Sequence, residues 1–355
     1  MSRFFMCCLM VFTLVSCTEK KDKIPVYAWT GGPGQATDQE LRTEFEDLKD
    51  KGIDGLMYNG GHNPETYKRV GALVKEAGME FHTWIPTMVQ GKNPKIDTSL
   101  YAVNRKGESA FEKPAYVDHY KFLCPNKEGT YDFLADLYGS IAAVDEVDGI
   151  HLDFIRFPDV ILARGLWEKY GYCDQCTSDF KEKYGIDIKE VEDPSQVQEW
   201  KQFRYDLITN LVGRLSKVVH GKGKVINAAV FPGPSIAKKL VRQEWDKWDL
   251  DAVYPMNYND FYLEGPEWLA PITKEEVAAV NGEKPIYSGL FICPKPENKT
   301  NEKDPENHGL LPSEIGTAIK GSMENGATPG RMTPEHWEAF EKAIYKDYSK
   351  KEDNN

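Results

Sequence analysis

The sequence predicts an α/β fold, a single (β/α)8 TIM barrel with long βα loops at the C-terminal face, and three observations carry that prediction. Short β-branched or aromatic runs alternate with amphipathic helical stretches about eight times, a pattern that yields a parallel sheet through right-handed crossovers and closes into a barrel. Connections from helix to strand are short: Lys51 to Asp54, Ala77 to Met79, Asp145 to Asp148 and His220 to Gly223. Connections from strand to helix are long: Pro86 to Lys127, Ile155 to Ser195, Asn257 to Ile272 and Phe291 to Leu311. The insertions thus fall at the carboxyl ends of the strands, where barrel enzymes build their sites.

In chain order the strand runs are Val26 to Thr30, Gly55 to Asn59, Glu80 to Ile85, Gly149 to Phe154, Lys224 to Val230, Ala252 to Asn257 and Pro285 to Leu290. Their residues suit a buried pleated surface. An eighth run, near Ala327, is weak. The helical stretches between them are Asp38 to Lys51, Pro64 to Ala77, Gly129 to Val144, Gln196 to Val218, a short one from Ser235, Thr273 to Val280 and Pro312 to Asn325, with a last helix from Pro334. The long loops carry Trp167, Tyr170, Tyr172, Phe261, Tyr262 and Trp268, residues that disordered segments lack. Residues 24–347 therefore read as one barrel domain with an elaborated rim, followed by a charged tail at 348–355.

The amino terminus differs in character. Arg3 precedes an apolar run from Phe4 to Val15, too short to span a bilayer and laid out as a secretory signal. The ending Leu14-Val15-Ser16-Cys17 resembles a bacterial lipobox, which implies a signal peptide at 1–16, lipidation of Cys17 and a polar tether at 17–23. A membrane-anchored body in the cell envelope, periplasmic or on the outer surface, would follow; an ordinary cleaved signal with a chance cysteine is the alternative. With 56 acidic against 44 basic residues and no basic block, nucleic acid is not an expected partner. The 8 Trp and 18 Tyr are numerous enough to stack on a ligand as well as to fill a core.

One stretch concentrates chemistry on a buried strand: "DGIHLDFIRFP", Asp148 to Pro158. Alternation sends Ile150, Leu152 and Phe154 one way and His151 and Asp153 the other, into the barrel near its mouth, with Arg156 just beyond. A carboxylate there needs a partner or a task. A structural ion pair with Arg156 or His151 is one reading, and a catalytic carboxylate at the strand end is the other.

This segment resembles the signature of the glycosyl-hydrolase-like 10 family of barrel lipoproteins, differing at its two aromatic positions. The resemblance continues in order through "FLCPN" at Phe122, "WKQFRYDLITNLV" at Trp200 and "DAVYPMNYND" at Asp251. It implies a TIM barrel acting on glycans, with some members similar to enzymes that cut peptidoglycan strands. Asp148 and Asp153 also fit the strand-four frame of chitinase-like enzymes, but Ile155 occupies their acid position. Asp153 falls on the nucleophile position of the α-amylase type, yet His151 replaces its Arg and "KVINAAV" lacks its acid. Neither mechanism transfers whole.

Glycoside hydrolysis needs two carboxylates across the scissile bond. Asp153 is the first candidate and Asp260, leaving the sixth strand, the second; a loop-capping role for Asp260 is equally open, and Glu264 and Asp118 are reserves. Trp29, Asn59, His62, His82, Trp84, His151, Arg156, Tyr254, Asn257 and Tyr258 are candidates for substrate binding by their strand-end positions. No phosphate-binding or cofactor fingerprint and no barrel-type catalytic metal cluster is expected. Cys173 and Cys176 form a CxxC expected to be a small disulfide; zinc would need two more ligands, for which Cys124 and Cys293 are the thiols left in the body besides histidines. The combined expectation is a lipid-anchored glycoside hydrolase acting on an oligo- or polysaccharide; the alternative is a non-catalytic glycan-binding barrel.

Overall fold

The computed structural model describes residues 25–32, 34–91, 93–114, 117–158, 169–293 and 309–327. The signal peptide, Cys17, the tether, Trp167, the helix expected from Pro334 and the tail lie outside the described residues. Six strands, β1 (Tyr27–Gly31), β2 (Gly55–Asn59), β3 (Glu80–Pro86), β4 (Gly149–Asp153), β5 (Val225–Val230) and β6 (Ala252–Pro255), form one parallel sheet in sequence order. Helices α1 (Asp38–Asp50), α2 (Pro64–Glu76), α3 (Glu128–Ala142), α4 (Asp174–Tyr184), α5 (Gln198–His220) and α6 (Pro234–Val241) fill the connections, and α7 (Leu269–Val280) and α8 (Pro312–Glu324) follow. None of the described helices is long and apolar enough to cross a membrane.

The expected seventh strand pairs with β6 only through single parallel bridges, Val253 with Ile286 and Met256 with Gly289. Ala327, at the expected eighth, is buried but not in a strand. Two other boundaries shift. β4 stops at Asp153, one residue short of Phe154, and α4 occupies part of what the sequence suggested was loop.

The sheet is curled. In a flat sheet β1 and β6, five strand spacings apart, would lie ~24 Å from each other. Instead the Trp29 and Tyr254 rings are 5.9 Å apart, Tyr27 and Tyr254 5.8 Å, and Tyr27 and Tyr287 5.5 Å. The concave side holds Tyr27, Trp29, Met57, Trp84, Tyr254 and Tyr287, while Leu56, Phe81, Ile150, Leu152, Ile226 and Val253 join the helices in the outer core.

A repeated aspartate locks the amino ends of the strands. Asp54, Asp148 and Asp251, each just before an even-numbered strand, accept a backbone N–H at the start of the preceding odd-numbered one: Val26, just before β1, at 3.0 Å, Phe81 at 2.7 Å and Ile226 at 2.7 Å. Each also meets a base from the end of a helix, Lys49, Lys75 and His220 respectively. Buried N–H groups at a sheet end need acceptors, and the three aspartates supply them at the face opposite the long loops.

Across the concave interior runs a continuous hydrogen-bonded chain. The Trp29 indole N–H donates to His151 Nε2 at 3.0 Å, and His151 Nδ1 donates to Asn227 Oδ1 at 2.5 Å. The Asn227 amide donates to His82 Nδ1 at 3.3 Å, and His82 Nε2 donates to Glu80 at 3.2 Å. The Tyr27 hydroxyl donates to the same Glu80 oxygen at 2.8 Å. Because amide and indole N–H groups can only donate, the tautomers of both histidines follow from the chain.

Two predictions follow from this interior. A Cβ on Gly149 would lie 2.4 Å from His82 Nδ1 and 2.5 Å from Val225 Cγ2. Gly149→Ala is expected to cost about 1–3 kcal/mol, read as a lowered urea midpoint; an unchanged midpoint would mean that β4 shifts without penalty. Burial holds the His151 pKa at about 3, below its ordinary 6.5. The unfolded chain therefore takes up a proton that the folded chain refuses, so this contribution is complete above pH 6.5 and drains as pH falls towards 3. Urea midpoints at about pH 7 and about pH 4 should converge more closely in His151→Gln than in the native chain; equal loss in both would assign the acid sensitivity elsewhere.

Candidate functional site

Asp153 ends β4 on the concave side with 7% of its surface exposed. One carboxyl oxygen accepts the Trp84 indole N–H at 2.8 Å, and the other accepts the Phe154 backbone N–H at 2.6 Å. Phe154 itself has a left-handed backbone, φ 50°, a conformation costing about 1–3 kcal/mol for a side chain of that size. Burial raises the Asp153 pKa, and the Trp84 and Phe154 hydrogen bonds and the Arg156 charge offset part of that rise. The half-buried Tyr258 is near enough for the Asp153 charge to disfavour its ionisation further.

An ion pair between Asp153 and Arg156, the structural reading of this stretch, does not form among the described residues. Arg156 donates instead to the Phe157 carbonyl at 3.1 Å and to the Tyr120 hydroxyl at 2.7 Å. Its guanidinium lies 4.9 Å from the Phe154 ring centre, 5.0 Å from Phe231, 5.6 Å from Phe122 and 5.7 Å from Tyr120. Such an aromatic enclosure stabilises a cation without a carboxylate.

The other sequence candidates divide by depth. Trp29, Trp84, Tyr258 and Asn59 are partly exposed at the carboxyl ends of their strands or just beyond. His82, His151, Tyr254 and Asn257 are 3%, 0%, 3% and 0% exposed, which corrects their expected place at the ligand surface. Both nitrogens of His82 and His151 are used in the interior chain. Tyr254 stacks on Tyr287 at 4.8 Å, and Asn257 donates to Glu276 and Ser288. His82, His151 and Tyr254 form the support beneath the strand ends, and Asn257 is buried just beyond β6. His62 packs against Phe133 of α3, a contact outside this group.

Asp260 lies in a short turn after β6. Its oxygens accept the Asn259 amide at 3.1 Å and the Gly309 backbone N–H at 3.0 Å, tying the β6 exit to the chain before α8. Asp118 is exposed and 3.6 Å from Lys121, and Glu264 is exposed, its carbonyl accepting from Asn259.

The expected Cys173–Cys176 disulfide is not formed. The sulfurs are 3.2 Å apart, against about 2.05 Å for a bond, because Cys173 caps α4 and turns its sulfur to the Cys176 N–H. Cys124 joins them from the β3–α3 loop.

Three contributors escaped sequence reasoning, and a fourth, Cys124, stood in the sequence only as one of two spare thiols. Asn227 links the two histidines, and its signal was an amide inside the apolar run "KVINAAV". Tyr120 fixes Arg156 and Cys124 completes the thiol group, both from a loop whose path the sequence leaves open. Glu276 of α7 is fully buried against the Gly233 N–H and the Asn257 amide, and burial pushes its pKa up to about 8.

No family model and no curated protein matches the chain. Solved structures do. The glycoside hydrolase domain of PgaB (BpsB) from Bordetella bronchiseptica aligns with a TM-score of 0.64 at 13% identity, covering 89% of this chain and 95% of that one. The catalytic domain of beta-amylase from Paenibacillus polymyxa gives 0.58 at 13%, covering 92% and 99%. The beta-galactosidase from the psychrophilic Marinomonas ef1 gives 0.60 at 9%, with 92% of this chain matching 60% of that one. The chain therefore has the α/β barrel-type fold of these glycoside hydrolases, carried on a divergent sequence.

Proposed function

We propose that this chain is a (β/α)8 glycoside hydrolase acting on an oligo- or polysaccharide, held in the cell envelope by a lipid on Cys17. The observation that carries the reading is the Asp153 carboxyl: interior, desolvated and fixed by two N–H donors at the carboxyl end of β4, the end at which barrel enzymes place their chemistry. The shared fold of three carbohydrate-active structures supports the same class. The likeness of "DGIHLDFIRFP" to the glycosyl-hydrolase-like 10 signature makes peptidoglycan glycan strands one substrate to try.

A carboxyl whose pKa is raised keeps its proton to higher pH, as a general acid must. Asp153 gives that proton to the glycosidic oxygen as the bond to the anomeric carbon breaks. Asp260 attacks that carbon or takes a proton from the water that does. Trp29, Trp84 and Tyr258 offer ring faces for the sugar. One observation favours the rival reading, a glycan-binding barrel without catalysis: both Asp260 oxygens are already engaged, one by the Asn259 amide and the other by the Gly309 backbone N–H.

Product analysis of the full chain on peptide-free peptidoglycan and on plant and host glycans separates the two. Hydrolysis should fall by about 10²–10⁴-fold in Asp153→Asn, with melting temperature nearly unchanged, and the native rate should decline on the alkaline side as Asp153 loses its proton. Asp260→Asn should lose activity too, with a lower melting temperature because it loosens the Gly309 contact. Full activity in Asp153→Asn would overturn its role. If the native chain cuts nothing while one glycan raises the melting temperature of native and variant alike, the binding reading replaces hydrolysis.

A further inference from the structure

Two long loops at the strand-end face meet in three buried thiols. Cys124 lies before α3, Cys173 caps α4 and Cys176 sits in its first turn. Their sulfurs form a triangle with sides of 3.5, 3.5 and 3.2 Å. Each residue is at most 3% exposed. An ion at the zinc–thiolate distance of about 2.3 Å from all three would sit roughly 1 Å above their plane. Ideal tetrahedral ligation spreads such sulfurs to about 3.8 Å, so a few tenths of an ångström of opening suffices.

Two backbone N–H groups point at the sulfurs. The Asn126 backbone N–H points to the Cys124 sulfur and the Cys176 N–H to the Cys173 sulfur at 3.5 Å. N–H donors and a helix amino end both favour charge on sulfur. Lys127 faces Cys173 closely enough to add to that, balancing the single negative charge of a divalent ion with three thiolates. Three thiols are also the wrong number for disulfides, since any one pairing strands a buried third.

We propose that Cys124, Cys173 and Cys176 bind one zinc ion, with water as the fourth ligand, stapling the β3–α3 loop to α4. Cys173 lines an open groove of about 1010 Å³ shared with Asn104, Asn126 and Asp174, from which that water enters. An all-sulfur set selects a soft or borderline ion, and zinc takes it without redox change. On binding, the remaining thiol protons leave to solvent. The staple joins the loop carrying Tyr120, which holds Arg156, to the segment after β4, so its role is structural and independent of glycan cleavage.

Metal analysis of the full chain, purified under reducing conditions with zinc supplied, is the test. About one zinc per chain is expected, together with a sulfur-to-metal charge-transfer band when the metal-free protein is titrated with Co²⁺. Three thiols should resist a thiol reagent until a chelator is added. Cys124→Ser and Cys176→Ser should lose both the zinc and the band, while Cys293→Ser keeps them. Absence of zinc and of the cobalt band in the native chain would overturn the proposal even if the serine variants fail to fold. A native mass two hydrogens light from a Cys173–Cys176 disulfide, unchanged by zinc, would also overturn it.

Discussion

The structure depends on satisfying polar groups inside a curled sheet. A barrel interior built only of apolar side chains tolerates repacking, because one hydrophobic contact substitutes for another. Here the interior is a chain of hydrogen bonds from Tyr27 through Glu80, His82, Asn227 and His151 to Trp29. Each link fixes the orientation of the next, and an unmatched buried donor or acceptor costs about 1–3 kcal/mol. The links join β1, β3, β4 and β5, so a slip in strand register would break several at once. The three aspartates at the amino ends of the even strands fix the same register from the other side.

On this support the Asp153 carboxyl is held away from its nearest cation. Its donors are neutral N–H groups, and Arg156 is absorbed by four rings and the Tyr120 hydroxyl. An ion pair would have pulled the carboxyl towards permanent ionisation. Burial dominates instead, and the next residue, Phe154, is left-handed. Local strain of this kind persists only where surrounding packing over-determines it, and the aromatic enclosure around Phe154 and Arg156 supplies that packing.

Strand positions and the orientation of His151 and Asp153 were legible in the sequence, because alternation is a local property of the chain. The six strands appear within a residue or two of their expected limits. The left-handed break at Phe154 was not legible, since a bulky aromatic residue carries no local signal for a positive φ. Nor could spacing distinguish a histidine that meets a ligand from one that meets Asn227: both point inward from a strand, and only depth separates them. The cysteines make the same point at longer range. Cys173 and Cys176 advertise a local pair, while Cys124 reaches them through a loop fold that has no periodic signal. Asp260 shows a mixed outcome, since the loop-fastening contacts weighed from sequence are present and its chemistry rests on the proposal above.

The indole N–H groups of Trp29 and Trp84 have a further consequence. Both point inward, one to His151 and the other to Asp153. A ligand reaching these two side chains meets π-surface and no donor. On the proposed glycan reading, discrimination at these two positions turns on how flat a ring face the ligand presents, and an axial hydroxyl that lifts a pyranose off an indole counts for more there than one that seeks a hydrogen bond.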